Sequence, residues 1–206
     1  MRTLRLLSAI HDKKLLRALR LNRQIIKIIK MKIKLRQENE KDHKSVFNLI
    51  EKAFEKEEYS DHKEQFLVER LRKSDAFIPE LSIVAEVENE IVGHILLTKL
   101  EIKNDTETFE SLALAPVSVL PEFQGKGIGS KLILHSHKVA KELGYKSVIL
   151  LGHQDYYPRF GYELCERYNI EMPFEVPAEN CMVIALTENG LSGVSGKVIY
   201  PTAFFE

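Results

Sequence analysis

The sequence predicts an α/β domain with a mixed central sheet and flanking helices, preceded by an N-terminal helical extension. Three observations carry the prediction. A buried strand, a helix and a second buried strand follow one another between Leu112 and Gly152, the order of a parallel crossover. Two apolar runs flank Glu88-Asn89-Glu90, which makes an antiparallel hairpin. Residues 1–78 contain neither Gly nor Pro, so long helices are permitted there. Residues 31–206 form the predicted domain and residues 1–30 the extension.

The elements follow in order. Lys32–Arg36 reads as a first strand. Asp42 is placed to cap a helix through about Lys56, with Val46, Leu49, Ile50, Ala53 and Phe54 inward. Asp61 is placed to cap a second helix to about Lys73, with Phe66, Leu67 and Leu71 inward. Strands at Leu81–Val87 and Ile91–Leu100 form the hairpin, and Lys103–Thr108 is a polar turn. Leu112–Leu120 is the most apolar strand, and Pro116 interrupts it. A proline there fits a central strand only if the strand bulges. Gly127–Leu143 is helical, and Gly144 stops it. Ser147–Leu151 closes the crossover. Asp155–Phe160 is a short helix ended by Gly161, Tyr162–Met172 and Cys181–Thr187 are late strands, and Lys197–Tyr200 is an edge strand.

The chain has 206 residues, 44% of them hydrophobic, and a net charge of zero. That length suits one domain able to bury a full core. No apolar run reaches the length of about 18 residues that a membrane helix needs. The zero hides an uneven distribution. Residues 1–30 hold nine basic groups against Asp12, a net of +8, and the remainder carries −8. In the leader, Leu15, Ala18, Leu19, Ile25, Ile26 and Ile29 recur at helical spacing opposite a basic face. It reads as a packed or surface-bound helix, a targeting segment, or an artefact of start assignment, since Met31 opens a domain by itself. Cys165 and Cys181 form no C-x-x-C pair, which points to free thiols in a reducing, cytoplasmic compartment. His135 and His137 diverge on their helix and make a poor metal pair.

The chemistry concentrates at Pro121-Glu122-Phe123-Gln124-Gly125-Lys126-Gly127-Ile128-Gly129-Ser130, between a buried strand and a helix. Three alternating glycines bare the backbone, and a helix start adds unpaired N–H donors and a positive dipole end. The combination suits phosphate. A dinucleotide loop would need glycine at Ser130, and an ATP-binding P-loop would need it at Leu120, so both fail on spacing.

The pattern that fits is Gln-x-x-Gly-x-Gly at Gln124, Gly127 and Gly129, which resembles the coenzyme A pyrophosphate loop of the GNAT superfamily of N-acetyltransferases. Residues 112–121 look like that family's bulged fourth strand, and residues 152–162 like its fifth-strand end and following helix. The resemblance covers about residues 32–190 and is nearest in wording to small, predicted bacterial acetyltransferases. It implies acetyl-CoA as co-substrate and a primary amine as acceptor, with direct attack in a ternary complex and no metal. The amides of Gly125, Lys126, Gly127, Ile128, Gly129 and Ser130, following Gln124, would hold the pyrophosphate. Val117 and Val119, with Ser118 between them, would pair with the pantetheine arm. An amide near Val117 or Ser118 would polarise the acetyl carbonyl.

The resemblance makes Tyr157 the donor of a proton to the departing thiolate, with Tyr156 the neighbour that could be confused with it. A thiol pKa of about 8.5 against about 10 for a phenol leaves the advantage mainly geometric. Candidates for the base are Glu110, Asp155, His153 and Glu101, of which His153 is favoured because it follows a buried strand. Arg159 is a surface cation within reach of a phosphate. The domain is not expected to bind nucleic acid, and a homodimer stays open. Two rival readings are a catalytically silent acyl-CoA-binding regulatory module and an interaction protein acting through its basic leader.

Overall fold

A computed structural model of the chain describes residues 31–58 and 60–206. The predicted basic helix of residues 1–30 lies outside these residues. Strand β1 (Ile33–Gln37) leads through a short 3-10 turn into α1 (His43–Phe54). Helix α2 (Glu64–Arg72) follows, then β2 (Phe77–Val87), β3 (Glu90–Lys103) and β4 (Thr108–Val119). Helix α3 (Ile128–Glu142) and β5 (Ser147–Leu151) complete the crossover. Short strands β6 (Glu163–Leu164), β7 (Ile170–Glu171), β8 (Cys181–Ala185) and β9 (Gly196–Ile199) end the chain.

The sheet runs β1-β2-β3-β4-β5-β8-β6. Parallel pairing joins β4 to β5, while β2–β3, β3–β4 and β5–β8 are antiparallel, so the sheet is mixed as expected. The β2–β3 hairpin closes on Glu88 and Asn89, both left-handed, a geometry that matches the strand twist. Strand β9 pairs with β3 at Glu101–Lys103, beyond the rung where β2 begins. Helix α3 packs against the Gly93 face of β3, where a Cβ would meet Ile128 and Leu132 at 3.0 Å. The neighbouring residue, His94, therefore faces the other side, toward α1 and α2.

Several predicted details differ. Asp42 does not cap α1: its carboxylate turns back to the Arg36 guanidinium and the Asn39 N–H, and Asn39 caps the preceding turn instead. The ion pair with Arg36 outcompetes the cap because it is charge-assisted at both ends. Asp61 accepts from the Lys63 N–H, one turn ahead of the helix. Helix α2 buries Gln65, Val68 and Leu71, leaving Phe66 47% exposed with its edge on Phe47. β2 starts at Phe77, and an irregular register between Phe77 and Ser82 accommodates Pro79. The single late strand predicted over Tyr162–Met172 is two short ones, separated by a 3-10 turn at Cys165–Tyr168 and left-handed Asn169. No helix among the described residues is long and apolar enough to cross a membrane.

Candidate active site

The β3–β4 register steps from Ile95↔Val117 to Leu97↔Leu114, so Ala115 and Pro116 together oppose Leu96. This is the bulge expected at the proline. Its consequence lies on the other edge of β4. Strands β4 and β5 pair at Leu112↔Val148 and Ala113↔Ile149 and at no later rung, although β4 continues to Val119 and β5 to Leu151. The two strands part beyond Ala113, at the carboxyl ends where parallel sheets take ligands.

Backbone direction in the parted segment follows from one bond. The Leu120 N–H donates to Val92 on the β3 side. By alternation the backbone groups of Val119 and Val117 point to the gap, while those of Ser118 point to β3. The Gln124 side-chain amide donates to the Val119 carbonyl at 3.2 Å. Gln124 thus ties the loop to the strand end, and the amides of Val117 and Val119 stay turned to the opening.

The loop then climbs to α3. Gly125 (φ 71°) and Gly127 (φ 79°) are left-handed, which needs glycine, and a Cβ at either would meet nothing within 4 Å. Open space therefore stands over both. No N–H from Gly125 to Ser130 donates to a backbone carbonyl outside α3 among the described residues, and Lys131 makes the first helical bond, to Gly127. These six amides at the positive end of a 15-residue helix form an anion cradle. The Lys126 ammonium folds back on the Glu122 carbonyl and the Phe123 ring, so the cradle here is backbone rather than side chain.

After β5 the chain turns at Gly152, and a 3-10 turn (Tyr157–Phe160) ends at left-handed Gly161. The Tyr157 ring covers Gly152 so closely that a Cβ there would lie 2.2 Å from Cε2. Tyr156 and Tyr162 hold it edge-on, with centroids at 5.1 and 5.6 Å. Tyr157 is buried. Burial, and to a lesser degree Tyr156, pushes its pKa well above the ordinary phenol value, so the proton is always present near neutrality. Tyr156 has a different place: its hydroxyl lies where a Cβ on Gly129 would be 3.1 Å away, against the loop.

The other sequence candidates scatter. His153 is exposed on the turn after β5, and its ring makes no hydrogen bond among the described residues. Asp155 is exposed on the same turn. Glu101 and Glu110 are register partners near the far end of the β3–β4 ladder, away from the loop. Arg159 stacks on the Tyr156 ring at 3.9 Å and donates to its carbonyl, a packing role rather than a free cation. His137 is buried on the Tyr162 hydroxyl at 2.9 Å, and burial lowers its pKa to about 4. Among the described residues no group of three or more His, Cys, Asp or Glu is placed to hold a metal. One cluster has no signature in the sequence: Glu38, Ser82 and His94, all buried, joined to Arg72. Its members come from four separate elements, and only the fold brings them together.

Comparison with known proteins agrees with this geometry. The acetyltransferase (GNAT) domain family matches residues 34–165. The uncharacterized N-acetyltransferase YjhQ of Escherichia coli K12 is 37% identical over 119 residues, 57% of this chain and 66% of YjhQ, just under two thirds of its length. The uncharacterized N-acetyltransferase YhbS of the same strain is 26% identical over 156 residues, covering 76% of this chain and 89% of YhbS. Among solved structures, a Brucella melitensis GNAT family acetyltransferase in complex with acetyl-CoA superposes with a TM-score of 0.69 at 31% identity, over 84% of this chain and 98% of that one. The Escherichia coli YhbS structure in complex with CoA gives a TM-score of 0.77 at 24% identity, over 85% and 93%, a likeness of fold. With the family domain matching residues 34–165, more than half of the chain, and a relative of 31% identity covered almost completely, this chain belongs to the GNAT family of acetyltransferases.

Proposed function

We propose that this protein binds acetyl-CoA along the parted edge of β4 and transfers the acetyl group to a primary amine by direct attack in a ternary complex. The observation that carries the reading is the parting of β4 from β5 after Ala113↔Ile149, which leads directly into the unpaired amides of residues 125–130. The pyrophosphate sits on those amides, and the pantetheine adds to Val117 and Val119 as a short strand would. Of the amides near the bulge, the Val117 N–H is turned to the gap and polarises the acetyl carbonyl. Two relatives of known structure are complexes with CoA and acetyl-CoA, which supports the same co-substrate here.

Tyr157 completes the thioester side. Its raised pKa makes full proton transfer to a thiolate uphill, so the hydroxyl acts first as a hydrogen-bond donor to sulfur as the C–S bond breaks. His153, exposed beside it on the turn, takes the proton an ammonium acceptor must shed before it can attack. A screen of primary amines with acetyl-CoA, read by thiol release, tests the reading. Amine-dependent release is expected, and Tyr157→Phe should lower kcat about 10²-fold with CoA affinity retained. CoA binding without release for any amine would instead indicate a silent acyl-CoA-binding module.

A further inference from the structure

A buried polar chain links α2 and the end of β1 to β2 and β3, on the sheet face opposite α3. The Arg72 guanidinium donates to the Glu38 carboxylate at 2.5 and 3.2 Å. The Ser82 hydroxyl lies 2.5 Å from Glu38 Oε2 and 3.1 Å from His94 Nε2. Directionality fixes the protons. An ionised carboxylate only accepts, so the one Ser82 proton goes to Glu38, and the Ser82 oxygen must then accept from His94. Nε2 therefore carries the imidazole hydrogen, and Nδ1 is left with a lone pair. Nδ1 is buried and has no partner among the described residues.

A second orphan stands opposite. Ser118 is the register partner of His94 on β4, its side chain is on the same face, and its buried hydroxyl also lacks a partner. Directly opposed residues hold their Cβ atoms about 5 Å apart, which puts the hydroxyl within one side-chain rotation of the ring nitrogen. A buried donor and a buried acceptor, each unsatisfied and opposite in register, are seldom kept in a strand pair that apolar residues could fill. Ser118 also lies between the two residues whose backbones line the proposed acetyl-CoA groove.

We propose that Ser118 and His94 form an inward proton relay for the acceptor amine, with His94 the positioning residue that acts through the Ser118 hydroxyl. The inference rests on the acetyl-transfer reading above. The nitrogen–carbonyl bond forms, and the carbon–sulfur bond breaks with its electron pair on sulfur. The surplus proton on nitrogen passes to Ser118 Oγ as the Ser118 proton passes to His94 Nδ1. The thiolate, held by the Tyr157 hydrogen bond, takes its proton from water, and His94 returns its proton through Ser118 when the products leave. The imidazolium is met by the line Nε2–H to Ser82 to Glu38. The charged and titratable groups facing His94 are Glu38 after β1, Arg72 on α2 and His43 at the start of α1. Burial keeps the imidazole neutral and so able to accept, with Glu38 opposing that effect in part.

The test compares wild type, Ser118→Ala and His94→Asn in the full chain, with Ser118→Thr as the conservative variant. Asn keeps an acceptor in the core but cannot take a proton. Both disruptive variants should lower kcat about 10²-fold, with the KM for acetyl-CoA nearly unchanged, and flatten the acid limb of the kcat–pH profile, while Ser118→Thr, which keeps the hydroxyl, should retain wild-type turnover. A ¹⁵N spectrum of the wild-type imidazole should show the hydrogen on Nε2 at neutral pH; a hydrogen on Nδ1 would overturn the relay. If His94→Asn does not fold, Ser118→Ala decides alone. Wild-type turnover with both variants losing only thermal stability would overturn the relay but leave acetyl transfer standing. No amine-dependent release by wild type would overturn both.

Discussion

Substituting Gly152 with Ala tests how tightly the turn after β5 aims Tyr157. The added Cβ would sit 2.2 Å from Tyr157 Cε2 and 2.8 Å from Cδ2, where ordinary contact begins at 3.4 Å. The ring must therefore retreat by about 1.2 Å, and Tyr156 and Tyr162, edge-on at 5.1 and 5.6 Å, limit where it can go. Overpacking of this kind costs about 1–3 kcal/mol. For a chain of this size that is a fall in Tm of about 2–12 °C. A displacement of about 1 Å in a reacting group costs about 10²-fold in rate. Steady-state thiol release should thus show kcat reduced about as far as in Tyr157→Phe, with CoA affinity retained. The double variant Gly152→Ala/Tyr157→Phe should be little worse than either single one, because both remove the same interaction. A Gly152→Ala protein with a lowered Tm and an undiminished kcat would show that the Tyr157 hydroxyl does no chemistry.

Three further outcomes are expected. Gly127→Asn keeps the left-handed turn at modest cost but projects a side chain into the open space over the loop, so calorimetry should show CoA affinity lost while the Tm changes little. Gly127→Val should lose CoA binding too and add about 1–2 kcal/mol of backbone strain, visible as a lower Tm. His137 titrates at about 4 in the fold against 6.5 in the unfolded chain, so its neutral form is favoured by folding. Its contribution is complete above pH 6.5 and declines by about 3 kcal/mol as the pH falls toward 4, and urea melts of His137→Gln should show that loss flattened.

The site was legible where its chemistry depends on local backbone. Pro116 announces a bulge because a proline breaks a central ladder, and Gly125 and Gly127 announce a bare loop because only glycine takes that turn readily. The parting of β4 from β5 follows from the same few residues. What could not be read depends on partners distant in sequence. Asp42 has the spacing of a cap, but Arg36 claims its carboxylate. Phe66 has helical periodicity, but α2 is rotated so that Gln65, Val68 and Leu71 face inward. The buried cluster joining Arg72, Glu38, Ser82 and His94 spans up to 44 positions per bond and has no local signature. Of the four residues left open as the base, Glu101 and Glu110 stand at the other end of the ladder, and His153 and Asp155 lie on the turn after β5.

The central claim is that the opened edge of β4 and the loop after it hold acetyl-CoA. Backbone hydrogen exchange of the full chain, with and without acetyl-CoA, tests it amide by amide. Slowed exchange is expected at Val117, Val119 and residues 125–130 on binding, with β9 unchanged because it lies at the far end of β3. Binding that protects neither β4 nor the loop would place the ligand elsewhere and contradict the account.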